Sequence, residues 1–101
     1  MHIGPKSIGF YLKCMNAFFK RQCDIKFRRI CFLLNESPDR LFKNPDFREL
    51  VTRGVFVPKK EHGNPDQEYF VDYYRLRKLV IESDLIQDLI RATDGKIGEI
   101  L

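Results

Sequence analysis

The chain has 101 residues, 44% apolar and 32% charged, with 18 Lys and Arg against 14 Asp and Glu. That length suits one domain with its own core, and the composition excludes a disordered polar chain. Charges such as Lys13, Lys20 and Arg28 break the apolar runs, so no window approaches the roughly 18 apolar residues of a membrane span, and the start MHIGPKSIGFYLKCMNAFF lacks the apolar core and cleavage site of a signal peptide.

The first predicted element is a helix over Ser7–Gln22. Ile8, Tyr11, Leu12, Met15, Phe18 and Phe19 recur at helical spacing, and Phe10, Cys14 and Ala17 widen the apolar face. So broad a face needs cover on more than one side. Phe10, Phe18 and Phe19 are therefore expected to be largely buried, within the chain or in an oligomer. Asp24 is placed to cap a second helix, Ile25–Asn35, striped by Phe27, Ile30, Cys31 and Leu34. Lys20, Arg21, Lys26, Arg28 and Arg29 face a single acid in this stretch, Asp24, and form the densest basic patch of the chain.

Two proline-led helix starts follow. Ser37-Pro38-Asp39 and Asn44-Pro45-Asp46 each supply a capping side chain, a proline for the first helical position and an acid for the helix dipole. They predict helices over Pro38–Lys43 and Pro45–Arg53, the second burying Phe47, Leu50 and Val51, with Gly54 closing it in the left-handed region. Val55–Val57 reads as a short strand ending at Pro58. The stretch QEYFVDY fits two readings: a strand pairing with Val55–Val57 as a hairpin, or a helix begun by Asn64-Pro65-Asp66. From Tyr74 the pattern is helical, with Ser83 placed to divide it by capping a second segment and Gly95 to end it. The residues after Gly95 form a tail whose apolar spacing suits docking on the core.

This gives one domain over residues 1–101: a helical part over 7–53, a hairpin over 54–73, a C-terminal helix over 74–94 and a tail over 95–101. The fold class is α+β, mostly helical, with about four to five helices and one β-hairpin; the alternative is an all-α bundle. Charge is uneven: residues 1–60 hold 13 bases against 5 acids, a net of +8, and residues 61–101 hold 5 against 9, a net of −4. A basic front suits an anionic partner.

Three cysteines, Cys14, Cys23 and Cys31, form no Cys-x-x-Cys pair and give no disulfide framework. They point to a reducing compartment, nucleus or cytoplasm, and fit a viral protein equally. His2 and His62 stand at no metal-ligand spacing, and the six glycines form no phosphate loop. No enzyme, metal or cofactor is expected.

Helices, a short helix, a second helix closed by glycine and then a hairpin follow the winged-helix order. Pro45–Arg53 then takes the recognition-helix position and Lys59–Asp66 the wing tip. Along RGVFVPKK and EYFVDYYRLRKLV the chain resembles the winged-helix domain of the transcription factor IIE large subunit. That family also passes from the last aromatic strand of its wing into a helix through a Tyr-Phe-x-Asn-Tyr pattern with Leu three residues on. Tyr69, Phe70, Asp72, Tyr73 and Leu76 occupy those positions here, with Asp72 in place of Asn, and the family's zinc ribbon is absent. The resemblance implies a winged-helix fold.

The expected role is a non-enzymatic binding module of a nuclear or viral transcription or nucleic-acid machinery. Its candidate backbone contacts, to DNA or RNA, are Lys20, Arg21, Lys26, Arg28, Arg29, Arg48, Arg53, Lys59 and Lys60. On the recognition helix Asp46 and Glu49 accompany Arg48 and Arg53, a mixture unsuited to specific base reading. The alternative is a protein-protein adaptor or homodimer, with Phe10, Phe18, Phe19, Tyr69, Tyr73 and Tyr74 at the interface. No membrane partner is expected.

Overall fold

The computed structural model describes residues 8–59, 66–99 and 101, with the backbone alone at Ile8 and Leu85. The elements run α1 (Ile8–Ala17), β1 (Gln22–Lys26), α2 (Phe27–Leu34), α3 (Pro38–Lys43), α4 (Pro45–Thr52), β2 (Phe56–Pro58), β3 (Glu68–Asp72), α5 (Tyr73–Glu82) and α6 (Leu85–Ala92), followed by a 3-10 helix over Lys96–Glu99. The class is α+β and mostly helical, as expected. Among the described residues there are six α-helices instead of four to five, and a three-stranded sheet instead of a lone hairpin. Of the wing tip, residues 60–65, with Lys60 and His62 among them, lie outside the described residues, as does His2.

The first helix is shorter than its apolar stripe. Tyr11, Cys14, Met15 and Phe18 are buried at helical spacing, but α1 stops at Ala17. The Phe18 amide still donates to Cys14 O at 2.9 Å, and Lys20 then takes the left-handed region at φ 58°, which turns the chain away. Phe10 is half-buried, and Phe19, past the helix end, is 41% exposed, against expectation. Asp24 caps nothing. It stands inside β1, where the antiparallel register sets it opposite Phe70, and the second helix starts two residues later than the sequence implied, at Phe27.

The proline-led starts form as read. Ser37 Oγ accepts from the Arg40 amide at 3.3 Å, and Asn44 Oδ1 accepts from the Asp46 and Phe47 amides at 2.8 and 3.3 Å. Three helices end in the same device, with a left-handed residue after the last turn and two amides reaching back to free carbonyls. Asn35 does this for α2, Gly54 for α4 and Asp94 for α6, at φ 54°, 83° and 53°. At Gly54, the Gly54 amide meets Val51 O at 3.2 Å and the Val55 amide meets Leu50 O at 2.9 Å. This closure delivers Val55 into the core and starts β2.

The hairpin reading of QEYFVDY holds. β3 pairs antiparallel with β2, Phe56 opposite Val71 and Val57 opposite Phe70, and also with β1, Cys23 opposite Val71 and Ile25 opposite Tyr69. The strand order is β1-β3-β2, so β3 is central. Ile25, Phe56, Tyr69 and Val71 point into the core, while Gln22, Asp24, Lys26, Val57, Glu68, Phe70 and Asp72 alternate to the other face. Asp72 ends the strand and caps α5, its Oδ1 accepting from the Arg75 amide at 3.1 Å. Ser83 marks the division between the last helices: its hydroxyl donates back to Val80 O at 2.9 Å, and its carbonyl accepts from the Ile86 amide at 3.4 Å. The tail docks: Ile97 is buried, Leu101 packs on the core, and Arg77 Nε donates to Leu101 O.

The core is aromatic at its centre. Phe47 lies 5.7, 5.2 and 5.8 Å from the rings of Phe27, Phe56 and Tyr69, and Phe18 meets Phe56 edge-on at 5.4 Å. Cys14 and Cys31 are buried and Cys23 is exposed. An aromatic disulfide reagent is therefore expected to titrate one thiol in the native protein and all three in guanidinium. Prompt reaction of a second native thiol would contradict the packing of α1 on α2.

Burial also sets a pH dependence. It pushes the Cys14 and Cys31 thiols up from their ordinary 9.0, and the Tyr69 and Tyr73 hydroxyls up from 10.0. Burial, with Asp46 and Glu49 nearby, pushes Tyr11 to about 12. These are acids held neutral in the fold. Above their ordinary values the unfolded chain loses protons that the folded chain keeps, so stability falls as pH rises. The urea midpoint is expected to hold between about pH 6 and 8 and to decline above about pH 9 toward pH 12, less steeply in Cys14→Ala. An unchanged midpoint at about pH 10.5 would refute the assignment.

Candidate nucleic-acid interface

The charges of α4 lie on two sides. Asp46, Glu49 and Arg53 fall at i, i+3 and i+7 and so share one side of the helix, and all three act on the buried Tyr11 hydroxyl, the acids raising its pKa and Arg53 lowering it. Arg53 Nε donates to Glu49 Oε1 at 2.7 Å, which neutralises it locally. Arg48 and Thr52 are exposed and line, with Val51, a groove on another side of the helix. Both acids of α4 thus share their side with Arg53, while Arg48 and Thr52 stand on another side of the helix.

The groove measures about 410 Å³ and runs between α3, α4 and β3. Phe47 and Tyr69 are its buried aromatic lining, Val51 is half-buried, and Phe42, Lys43, Arg48 and Thr52 are exposed around it. No acid lines it. Lys43 and Arg48 form no ion pair among the described residues. Phe42 is 47% exposed, and its ring stands edge-on to Phe27 at 5.6 Å, which fixes it from one side.

The basic patch of residues 20–29 does not stay together. β1 runs through it and separates Lys20 and Arg21 from Arg28 and Arg29 by roughly 20 Å of extended chain. Lys20 and Arg21 sit beside the start of α5, with Arg21 O accepting from the Tyr73 amide at 3.0 Å and Lys20 Nζ over the Phe19 ring at 5.1 Å. Lys26, Arg28 and Arg29 lie at the opposite end of the sheet, by Glu68 and Tyr69, which is also the groove's end. There Arg28 reaches Asp66 at 3.5 Å, both widely exposed, and Arg29 lies over the Phe32 ring at 5.3 Å.

Lys59 is engaged too. Its ammonium donates to Asp24 Oδ2 at 2.8 Å across the outer face of the sheet, a bond that raises its pKa. Solvent screens an exposed pair of this kind, so Lys59 can exchange Asp24 for a phosphate at small cost. The candidate protein interface changes more. Phe18, Tyr69 and Tyr73 are consumed by the core and Phe10 is half-buried, which leaves Phe19 and Tyr74 exposed, each edge-on to Tyr73 at 5.6 and 5.4 Å.

The chain matches no family model, no curated protein and no solved structure. The site is therefore read from its own chemistry. Sequence reasoning found Arg48 but missed Lys43 and Phe42. Their one signal was position: the last turn of α3, next to the Asn44 cap, where α3 and α4 meet. No helix among the described residues is long and apolar enough to cross a membrane.

Proposed function

We propose that this chain is a non-enzymatic, winged-helix-like module that binds the backbone of a nucleic acid within a transcription or other nucleic-acid machinery. The observation that carries the reading is the α4 groove. α4 directly precedes the β2–β3 hairpin, engages Glu49 with Arg53, and presents Arg48 and Thr52 beside Lys43 in a groove with no acid among its described lining residues. The order helix, strand, helices, hairpin, with the first strand joining the hairpin in one antiparallel sheet, supports the winged-helix-like part. Lys26 and Arg29, at the same end of the sheet, extend the basic surface past the groove.

Binding of this kind neutralises phosphates and releases counterions. With Lys26, Arg29, Lys43 and Arg48 as contacts, three to four phosphates are engaged, and affinity for duplex DNA should fall about 40- to 150-fold between 50 and 200 mM salt. Anisotropy of a labelled duplex across that range checks this; no binding at low salt ends the proposal. A second reading, a protein-protein adaptor, is favoured by Phe32, which is 71% exposed on α2. Its sign would be a change in molecular mass in solution without any oligonucleotide.

A further inference from the structure

We propose that the groove between α3, α4 and β3 holds one unstacked base of a single-stranded nucleic acid, with an adjoining phosphate on Lys43 and Arg48. This rests on the nucleic-acid reading above and narrows it from backbone contact in general to a single strand. The groove's volume, about 410 Å³, lies within the range of small-molecule sites and accommodates a base with its sugar. Its exposed π-surface is Phe42, Val51 lies half-buried beside it, Phe47 and Tyr69 close its buried floor, and Lys43, Arg48 and Thr52 are exposed around it.

That distribution selects the ligand. An apolar, aromatic-lined groove offers contact to the face of a base, and a base presents its face only when it leaves the stack. Reading base edges in a duplex would need projecting donors and acceptors instead. Phe42 is exposed yet braced by Phe27, so stacking on it orders little that is not already ordered. The two cations match an anion one sugar away from the ring that enters. Neither acid of α4 is among the groove's described lining residues.

The test is fluorescence anisotropy at low salt with four labelled probes: an oligothymidylate, the same backbone with its bases removed, a mixed-sequence duplex, and a peptide alternating Glu and Phe. The oligothymidylate is expected to bind about tenfold or more tightly than the abasic strand. Phe42→Leu keeps apolar volume and removes the π-face, so it should erase that difference while the abasic affinity stays as it was. Its thermal unfolding, measured alongside, shows whether the fold survives. Lys43→Ala should weaken both strands equally. Equal affinity for the abasic and base-bearing strands, or tightest binding to the duplex, overturns the inference and leaves backbone binding standing. Binding of the peptide with no binding of any nucleic acid overturns both.

Discussion

Phe47→Ala is expected to cost the fold about 3–5 kcal/mol. The ring is 3% exposed and touches Phe27, Phe56 and Tyr69, so its removal opens a cavity between α2, α4 and the sheet at once. The neighbours cannot close over it, since the Phe27 amide is held by Gln67 O at 2.8 Å and Phe56 is paired with Val71 in the sheet. Domains of this length hold about 5–15 kcal/mol in all, so the variant should lose a large share of its stability and melt at least ~12 °C lower. Phe47→Leu, which leaves most of the volume filled, should lose much less. Urea unfolding of the three proteins side by side checks both, and a loss below about 1 kcal/mol for the alanine variant would mean that α4 does not pack as described.

Lys43→Glu combined with Arg48→Glu is expected to weaken nucleic-acid binding by about a hundredfold. Two charge-assisted contacts at about 1.5 kcal/mol each give that factor before repulsion is added. The salt slope on duplex DNA should also flatten by about 1.8 log units per decade, the share of two phosphates. Both residues are exposed and neither is ion-paired among the described residues, so the melting temperature should hardly move. The complementary control is Lys20→Glu with Arg21→Glu, which alters the far end of the sheet by the same charge. If that pair of changes weakens binding more than the groove pair, the interface lies by α5 and not by α4.

What the sequence made legible was local chemistry. Ser37-Pro38 and Asn44-Pro45 announce two helix starts because each cap is completed within three residues, and Gly54 announces an ending for the same reason. The hairpin was legible from its paired aromatic runs, although the competing cap at Asn64 kept a helix open. β1 was not legible. Its residues Gln22–Lys26 bury only Ile25, and their strand geometry comes from β3, far along the chain. Lacking that partner, the apolar stripe of α1 ran on through Phe19 and Asp24 looked like a cap. The groove was hidden for a related reason. Phe42 and Lys43, Arg48 and Val51, and Tyr69 come from three elements, and only the folded chain brings them to one place. The separation of Arg48 and Thr52 from Asp46, Glu49 and Arg53 around α4 follows from helical spacing alone, but which side borders the groove does not.

The central position of β3 also fixes an order of events in time. Gln22 and its partner Asp72 are fifty residues apart, and Phe56 too must wait for Val71. A chain emerging from the ribosome shows α1 to α4 and both outer strands before the one segment that can pair with either. Until then every main-chain group that β1 and β2 will give to β3 remains hydrated, and closing the sheet means closing a long loop in a single late step. The sheet thus closes only when a segment of five residues has been made, and α5 and α6, which follow it, complete the cover of α1.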